Sequence, residues 1–241
     1  MSGRCGFHAP VPDKMHFSHA SPVDAWQAVV AHLRANGDVF GVLVSFQATL
    51  ADEAKMAVFD PRRFGVRHDR ISDVANTIFP LKTRLNSVSR PDFYARYLKA
   101  HSRCRRQSWG TYFERFVAFG DTRVNQVERV ITALTHWKKV PKAALLMHTS
   151  SAETDSLKLR GGPCLQYVQF NCPGGNRVDL LAVYRNHDYF NKALGNFFGL
   201  ARLLHFVCEE SGREPGLVTC VSAHAYFDTS KSAMSDLAKL A

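Results

Sequence analysis

The sequence has no long apolar run, no paired cysteines and no low-complexity linker, and each absence excludes a class of protein. No apolar segment approaches the ~20 residues that a transmembrane helix requires, so we expect no membrane partner. The six cysteines contain no Cys-x-x-Cys pair, and no apolar signal-peptide segment opens the chain. We therefore expect reduced thiols in the cytoplasm, and not a disulfide framework.

Acidic residues are also fewer than basic ones. The 241 residues include 31 Lys and Arg against 21 Asp and Glu, which gives a formal net charge of +10. A basic surface favours an anionic partner, such as a nucleotide phosphate, a polyglutamyl folate or a nucleic acid. The alternative is that the charge serves only solubility.

The N-terminal histidines do not predict a metal site, and we expect none elsewhere. His8, His16 and His19 match no compact zinc spacing, and no cysteine pair joins them. Residues 1–20 are rich in Pro, His and Gly and are predicted to form an irregular arm. Residues 21–241 are predicted to form a single domain, since their length and hydrophobic content suffice for one core.

Hydrophobic periodicity, caps and turn residues predict alternating helices and strands. The predicted helices are 25–35, 71–79, 91–101, 126–139, 194–210 and one beginning at Ser230. The predicted strands are 39–46, 143–148, 165–172, 178–185 and 217–223. The turn at 173–176 (Pro-Gly-Gly-Asn) predicts a hairpin that brings Cys164 and Arg185 to the same end of the sheet.

These two residues could form a nucleophilic site. Cys164 directly follows Pro163, Arg185 comes one strand later, and Asp188 follows it closely. A thiol needs a nearby cation to become a thiolate at neutral pH, and a guanidinium is always charged. The sequence therefore predicts Cys164 as a nucleophile, with Arg185 as the cation that favours its ionised form.

Six motifs in this region, taken in order, resemble the C-terminal half of thymidylate synthases. They are Pro163-Cys164, Gln169-Phe170, Tyr184-Arg185 with Asp188, Leu194-Gly195 with Phe198, Gly212 to Gly216, and Ala223-His224 with Tyr226. The resemblance is strong over 160–227 and fainter over 109–150, where Trp109-Gly110-Thr111-Tyr112 lies. It implies an α/β (α+β) fold, with a mixed sheet covered by helices and a homodimer formed through the sheet face.

The resemblance also implies roles for single residues. Cys164 would add to C6 of a pyrimidine nucleotide or nucleoside and activate C5, while Asp188 would face the cofactor, 5,10-methylenetetrahydrofolate. Arg185 would hold the 5′-phosphate. The other substrate-binding candidates are Gln169, Asn186, Asn196, His224 and Tyr226, of which the last two would bind the sugar.

Several family features have no counterpart at the expected positions. The arginine pair before the nucleophile is replaced by 142–145 (Lys-Ala-Ala-Leu), and Asn186 stands in place of a serine. The asparagine that reads the pyrimidine edge falls on Gly199, and an organising glutamate would lie near Asn76. We expect no folate-covering tail after Tyr226.

The missing phosphate clamp has one candidate substitute. Arg62 and Arg63 lie in a predicted turn and could contact a phosphate, although a solvated loop is the favoured explanation. Arg103, Arg105 and Arg106 could also bind a phosphate or a single-stranded nucleic acid. Nucleic acid is the less expected partner, because the aromatic residues that follow this run also match the family's structural segment.

Two functions remain open from the sequence. The first is folate-dependent methylation or hydroxymethylation at C5 of a pyrimidine nucleotide, through a covalent Cys164 adduct. The substitution at Gly199 argues against plain deoxyuridylate, and hydroxymethylation needs only water to resolve the intermediate. The alternative is a non-catalytic or repurposed nucleotide-binding protein on the same scaffold. His187 is new relative to the family and could carry a proton or merely fill a loop.

Overall fold

The computed structural model describes residues 15–66, 68–103, 109–137, 145–155 and 161–238. Its strands are β1 (His16–His19), β2 (Val39–Gln47), β3 (Leu146–His148), β4 (Leu165–Gly174), β5 (Arg177–Tyr184), β6 (His187–Asp188) and β7 (Glu214–Tyr226). Its helices are α1 (Pro22–Asn36), α2 (Ile71–Ile78), α3 (Leu81–Leu85), α4 (Arg90–Arg103), α5 (Tyr112–Val117), α6 (Gln126–His136), α7 (Ala193–Ser211) and α8 (Lys231–Ala238), with 3-10 turns at Glu53–Ala57 and Pro61–Phe64.

Within these ranges the strands form one seven-stranded mixed sheet, in the order β1-β2-β7-β5-β4-β3, with β6 beside β7. The pairs β1–β2, β5–β7 and β6–β7 are parallel, whereas β2–β7, β3–β4 and β4–β5 are antiparallel. The predicted α/β (α+β) class with a mixed sheet and helices is confirmed.

The β4–β5 hairpin forms as the turn chemistry predicts. Leu165 pairs with Tyr184 at its open end, and Gly174 pairs with Arg177 at the turn. The backbone N–H of Arg185 donates to the carbonyl of Cys164 at 2.9 Å. The predicted proximity of Cys164 and Arg185 is therefore confirmed.

Helix α7 is the buried centre of the helical layer. It contacts β5, β7, α1, α2 and α6, and its apolar residues are buried on all sides. Two glycines let α2 lie unusually close to it. A Cβ at Gly195 would lie 2.6 Å from the carbonyl oxygen of Ile71, and one at Gly199 would lie 2.9 Å from that of Ala75. This close packing fixes α2 against the N-terminal turns of α7.

The two faces of the sheet differ in how far they are buried. Side chains such as Val44, Phe170, Ala182 and Cys220 are fully buried under the helices. On the opposite face, side chains from four neighbouring strands stay partly exposed, and no described helix packs on them. They are Leu43, Tyr167, Gln169, Leu181, Val183 and Val221. We call this set the outer sheet face.

Two segments differ from expectation. His16–His19, inside the segment predicted to be irregular, forms β1, because its backbone pairs with β2 in the register His16 to Leu43. The division into an arm (1–20) and a domain (21–241) stays a prediction, and 1–14 lie outside the described residues. The helix predicted to reach Lys139 ends at His136. The positions 138–144 lie outside the described ranges, and so do Arg105 and Arg106. Most of the segment 142–145, which replaces the arginine pair, is among them.

None of the helices in the described part of the chain combines the length and the hydropathy that a membrane span requires.

Candidate functional site

A cavity of about 550 Å³ opens where the N-terminus of α7 meets the ends of β5 and β7. Its wall comes from six separate parts of the chain, so only the folded structure assembles it. The lining residues are His68, Asp69, Val74, Thr77, Trp109, Gly110, Thr111, Tyr112, Gly161, Gly162, Cys164, Asn186, His187, Asp188, Lys192, Asn196, Tyr226 and Asp228.

Five of the predicted site residues lie in this wall. They are Cys164, Asn186, Asp188, Asn196 and Tyr226. Two others, Arg185 and His224, do not line the cavity but donate hydrogen bonds to Gly161 and Asn186, which do. The fold thus gathers most of the predicted site residues around Cys164.

The remaining three candidates lie elsewhere. Gln169 is on the outer sheet face, where its amide donates to the Asn171 side chain at 3.1 Å. Arg62 lines a neighbouring open pocket that shares His68 and Asp69 with the cavity, and its guanidinium is bound to Asp60. Arg63 donates to the carbonyl of Val58 at 3.0 Å. The structure does not bring these three side chains to Cys164.

Cys164 sits at the entry to β4, partly exposed to the cavity. Its backbone N–H and that of Leu165 donate to the buried hydroxyl of Tyr112, at 3.3 and 3.4 Å. Burial raises the pKa of the Cys164 thiol, and the positive charges of Arg185 and Lys192 oppose that rise. The two cations therefore favour the thiolate in a place where desolvation disfavours it.

Arg185 supports the loop that carries Cys164. Its Nε donates to the carbonyl of Pro163 at 3.1 Å and its Nη2 to that of Gly161 at 2.8 Å. The guanidinium thus fixes the backbone just before Cys164 and also supplies the positive charge nearby.

We expect Arg185→Ala to slow alkylation of Cys164 by iodoacetamide at neutral pH by about three- to tenfold, because the thiolate loses a neighbouring cation. The rate should be followed by mass spectrometry of the peptide that contains Cys164. Arg213→Ala is the matched control, since Arg213 lies near Cys172 instead and opposes the rise in the pKa of that thiol. An unchanged rate in Arg185→Ala would remove Arg185 as the activating cation.

The carboxylate of Asp188 already accepts several hydrogen bonds from within the protein. Its carboxylate accepts hydrogen bonds from the backbone of Phe190, Asn191 and Asp228 and from the Asn191 side-chain amide, at 2.7–3.4 Å. Burial raises the pKa of Asp188, and these hydrogen bonds oppose the rise. The carboxylate therefore ties the turn after β6 to the segment after β7, with one edge at the cavity wall.

His224 and Tyr226 share one face of β7, as their alternate positions predict. Their rings stack at 5.1 Å, and Phe40 stacks on the other face of His224 at 4.8 Å. The Nδ1 of His224 donates to the Asn186 side-chain oxygen at 2.7 Å. His224 therefore acts on the cavity through Asn186, while Tyr226 lines the cavity itself.

Gly199 and Asn76, the positions of two of the departures, do not line the cavity. Gly199 faces α2, whereas Asn196, one turn earlier on α7, presents its amide at the cavity. Asn76 does not line the cavity, because its side-chain oxygen accepts from Arg202 at 3.1 Å and Arg202 also pairs with Glu53. The cavity wall thus includes a side-chain amide, which can both donate and accept hydrogen bonds.

His187 lies in the protein interior, beside the cavity. The side chain is 1% exposed and lies against the ring of Tyr184, with centroids 4.0 Å apart. Burial lowers the pKa of His187 to about 3, so the imidazole stays neutral. Burial and the ring contacts therefore disfavour a charged imidazole at neutral pH.

Sequence reasoning missed several cavity residues. Lys192 pairs with Asp69 across the cavity at 3.1 Å, and Thr77 comes from α2. Tyr112 lies in 109–150, where the family resemblance is fainter, and that resemblance was the one sequence feature that indicated it.

Among the residues that the structure describes, no three His, Cys, Asp or Glu side chains converge as metal ligands.

No family model matches the chain. Curated relatives named "Putative thymidylate synthase" do match it in part. The protein from Methanococcoides burtonii is 32% identical over 108 residues, 44% of this chain and 48% of the relative. That from Methanosarcina acetivorans is 31% identical over 118 residues, 48% of this chain and 52% of the relative. That from Methanothermobacter marburgensis is 34% identical over 105 residues, 43% of this chain and 45% of the relative. The chain spans about half the length of the curated relatives it matches.

Proposed function

We propose that this chain, whose relatives support a divergent thymidylate synthase-like family, transfers a one-carbon unit from a folate to C5 of a pyrimidine nucleotide through a covalent Cys164 adduct. The observation that carries the proposal is a partly exposed thiol in the wall of a ligand-sized cavity, with positive charges nearby and a side-chain amide in the same wall. Reduced thiols also suit a cytoplasmic enzyme of nucleotide metabolism.

The chemistry follows from the thiolate. The Sγ of Cys164 bonds to C6 of the ring, and the C5–C6 π electrons move to C5, which becomes nucleophilic. C5 then bonds to the methylene carbon that the folate would supply. Loss of the C5 proton to water or a base releases the folate nitrogen and leaves a methylene group on C5. The sulfur leaves when a hydride from the reduced folate, or water, adds to that methylene. Covalent addition divides one difficult carbon–carbon bond formation into easier steps. Transfer of a hydride would give a methyl product, and addition of water would give a hydroxymethyl product.

The cavity wall suits a folate. Asp188 and Asp228 present carboxylates that can accept N–H donors of a pterin, and Trp109 offers an apolar surface beside them. Lys192 and Arg62 lie where anionic glutamyl groups could extend. When bound, 5,10-methylenetetrahydrofolate supplies the carbon at the oxidation state of formaldehyde.

The remaining site residues orient the nucleotide. Asn196 contacts the base edge, and Tyr226 with Asn186, which His224 holds in place, contacts the sugar. Within the described residues the Nη1 of Arg185 has no hydrogen-bond partner, so it can reach a phosphate while Nε and Nη2 hold the loop. Arg62 and Arg63 would contact a phosphate only after giving up their present partners.

A nucleotide-binding protein without chemistry is the second candidate. It is favoured by the place of Asn76, which is hydrogen-bonded to Arg202 instead of lining the cavity near the thiol. This candidate predicts nucleotide binding with no turnover.

One assay separates the two candidates. The protein is incubated with 5,10-methylenetetrahydrofolate and [5-³H]-labelled uracil or cytosine nucleoside 5′-monophosphates, and tritium release into water is measured. Transfer at C5 displaces that hydrogen, so we expect release with one of the two bases. Binding of a nucleotide without any release would instead support the non-catalytic protein.

We further propose a homodimer through the outer sheet face. Burial of its partly exposed apolar side chains would stabilise such a dimer, and Gln169 would then lie in the interface. We expect a dimer in analytical ultracentrifugation and a dissociation constant raised at least about 100-fold by Leu181→Glu, because a charge would be buried in the interface. Leu85→Glu, on an apolar side chain that is 73% exposed elsewhere, is the control. A monomeric wild type would contradict this proposal.

A further inference from the structure

A chain of hydrogen bonds runs from the protein core to the amide in the cavity wall. The Nδ1 of His187 lies 2.9 Å from the hydroxyl oxygen of Ser222, which lies 3.1 Å from that of Tyr189. The Nε2 of His187 lies 3.1 Å from the side-chain nitrogen of Asn196. His187, Ser222 and Asn196 are 1%, 0% and 4% exposed, so water does not compete well for these bonds.

The chemistry of these groups fixes which atom donates and which accepts in each of these hydrogen bonds. An amide nitrogen can only donate, so the Nε2 of His187 must accept from Asn196. A neutral imidazole has one N–H, which therefore lies on Nδ1 and donates to Ser222. The ring stacks on Tyr184 at 7° and contacts Tyr189, which restricts its rotation. Burial keeps the ring neutral, since it lowers the pKa of His187 to about 3.

We propose that His187 is a positioning residue that holds the Asn196 amide in one orientation and thereby decides which pyrimidine base the cavity accepts. With its nitrogen held by His187, the Asn196 amide presents its oxygen as a fixed acceptor. Uracil offers N–H at ring position 3 and an acceptor at position 4, whereas cytosine offers the reverse pattern. A freely rotating amide could satisfy either base, but a fixed one satisfies one and leaves the other with an unpaired group.

This inference depends on the proposed function in one respect, which is that a pyrimidine binds in the cavity beside Asn196. The first test measures dissociation constants for uracil and cytosine nucleoside 5′-monophosphates by calorimetry. We expect the wild type to prefer one base by about tenfold or more, and His187→Leu to bring the ratio within about twofold, because one hydrogen-bond mismatch accounts for a factor of this size. His187→Gln, which can accept from Asn196 and donate to Ser222, should restore most of the preference.

Tyr184→Phe is the matched control within the same cluster. The Tyr184 hydroxyl is buried and has no hydrogen-bond partner among the described residues, so its removal leaves the hydrogen bonds to Asn196 intact. We expect the base preference to stay as in the wild type. A His187→Leu protein that folds, binds both nucleotides and keeps the wild-type ratio would overturn the role of His187 and leave the proposed function standing.

The second test needs no nucleotide. In the free protein, long-range ¹H–¹⁵N NMR correlations of the His187 ring should show a neutral Nδ1–H tautomer from pH 6 to 8. An Nε2–H tautomer or a charged ring would overturn the proposal, because Asn196 would then meet a donor. If neither nucleotide binds to any variant, the proposed function is wrong and the role in base selection falls with it.

Discussion

Replacing Cys164 with alanine should reduce C5 tritium release at least about 10³-fold, because Cys164 is the one thiol that the described residues bring to the cavity wall. Serine would not rescue it, since an alkoxide is far harder to form than a thiolate beside Arg185 and Lys192. The measurement is release from the labelled nucleotide under saturating folate, compared with the wild type.

The control for this variant is Cys172→Ala. Cys172 is also a partly exposed thiol whose pKa is raised by burial, but it lies near the β4–β5 turn, away from the cavity. We expect its activity to be unchanged, and we expect Cys164→Ala to bind nucleotide within about threefold of the wild type, since alanine removes only a sulfur. Cys164→Ala that keeps a tenth of the activity would refute covalent catalysis by this residue.

Gly199→Asn should destabilise the protein by about 2–4 kcal/mol, because the new side chain would push α2 off α7. Its Cβ alone would lie 2.9 Å from both the carbonyl oxygen of Ala75 and the Cβ of Ile78, and the oxygen belongs to backbone that cannot rotate away. The quantity to measure is the free energy of unfolding from urea titration. Since position 199 faces α2, the substitution should leave the preference between uracil and cytosine nucleotides as it is in the wild type.

Glu209→Asn introduces the same side chain on the exposed surface of the same helix. Its cost should stay below about 1 kcal/mol, the difference that helix propensity allows. If the two variants were equally stable, the close approach of α2 to α7 would be wrong, and with it the placement of Thr77 in the cavity wall.

The parts of the fold that the sequence could predict are those with local causes. Ser21 caps α1 by accepting from the backbone of Asp24, and Asn125 caps α6 in the same way, as their positions predict. The turn at 173–176 closes the hairpin and brings Cys164 to Arg185. In each case the determinant lies within a few residues of the structure it produces.

The parts that could not be predicted depend on distant partners. Strand β1 is four residues long and exists because β2 is available to pair with it. Helix α7 is apolar on all sides, so it has no single hydrophobic face. Its hydrophobic pattern could therefore not predict that position 196 faces the cavity and position 199 faces α2. Lys192 and Asp69 are 123 residues apart, and only the packed structure shows that they meet.

The most direct test of covalent catalysis uses a pyrimidine nucleotide that carries fluorine at C5, together with 5,10-methylenetetrahydrofolate. Fluorine cannot leave as a cation, so the ring should remain bonded to the sulfur and to the transferred carbon. Mass spectrometry of the digested protein should find the nucleotide and the folate on the peptide that contains Cys164. A nucleotide that binds at the same concentration without any adduct, or an adduct on a different cysteine, would contradict the account.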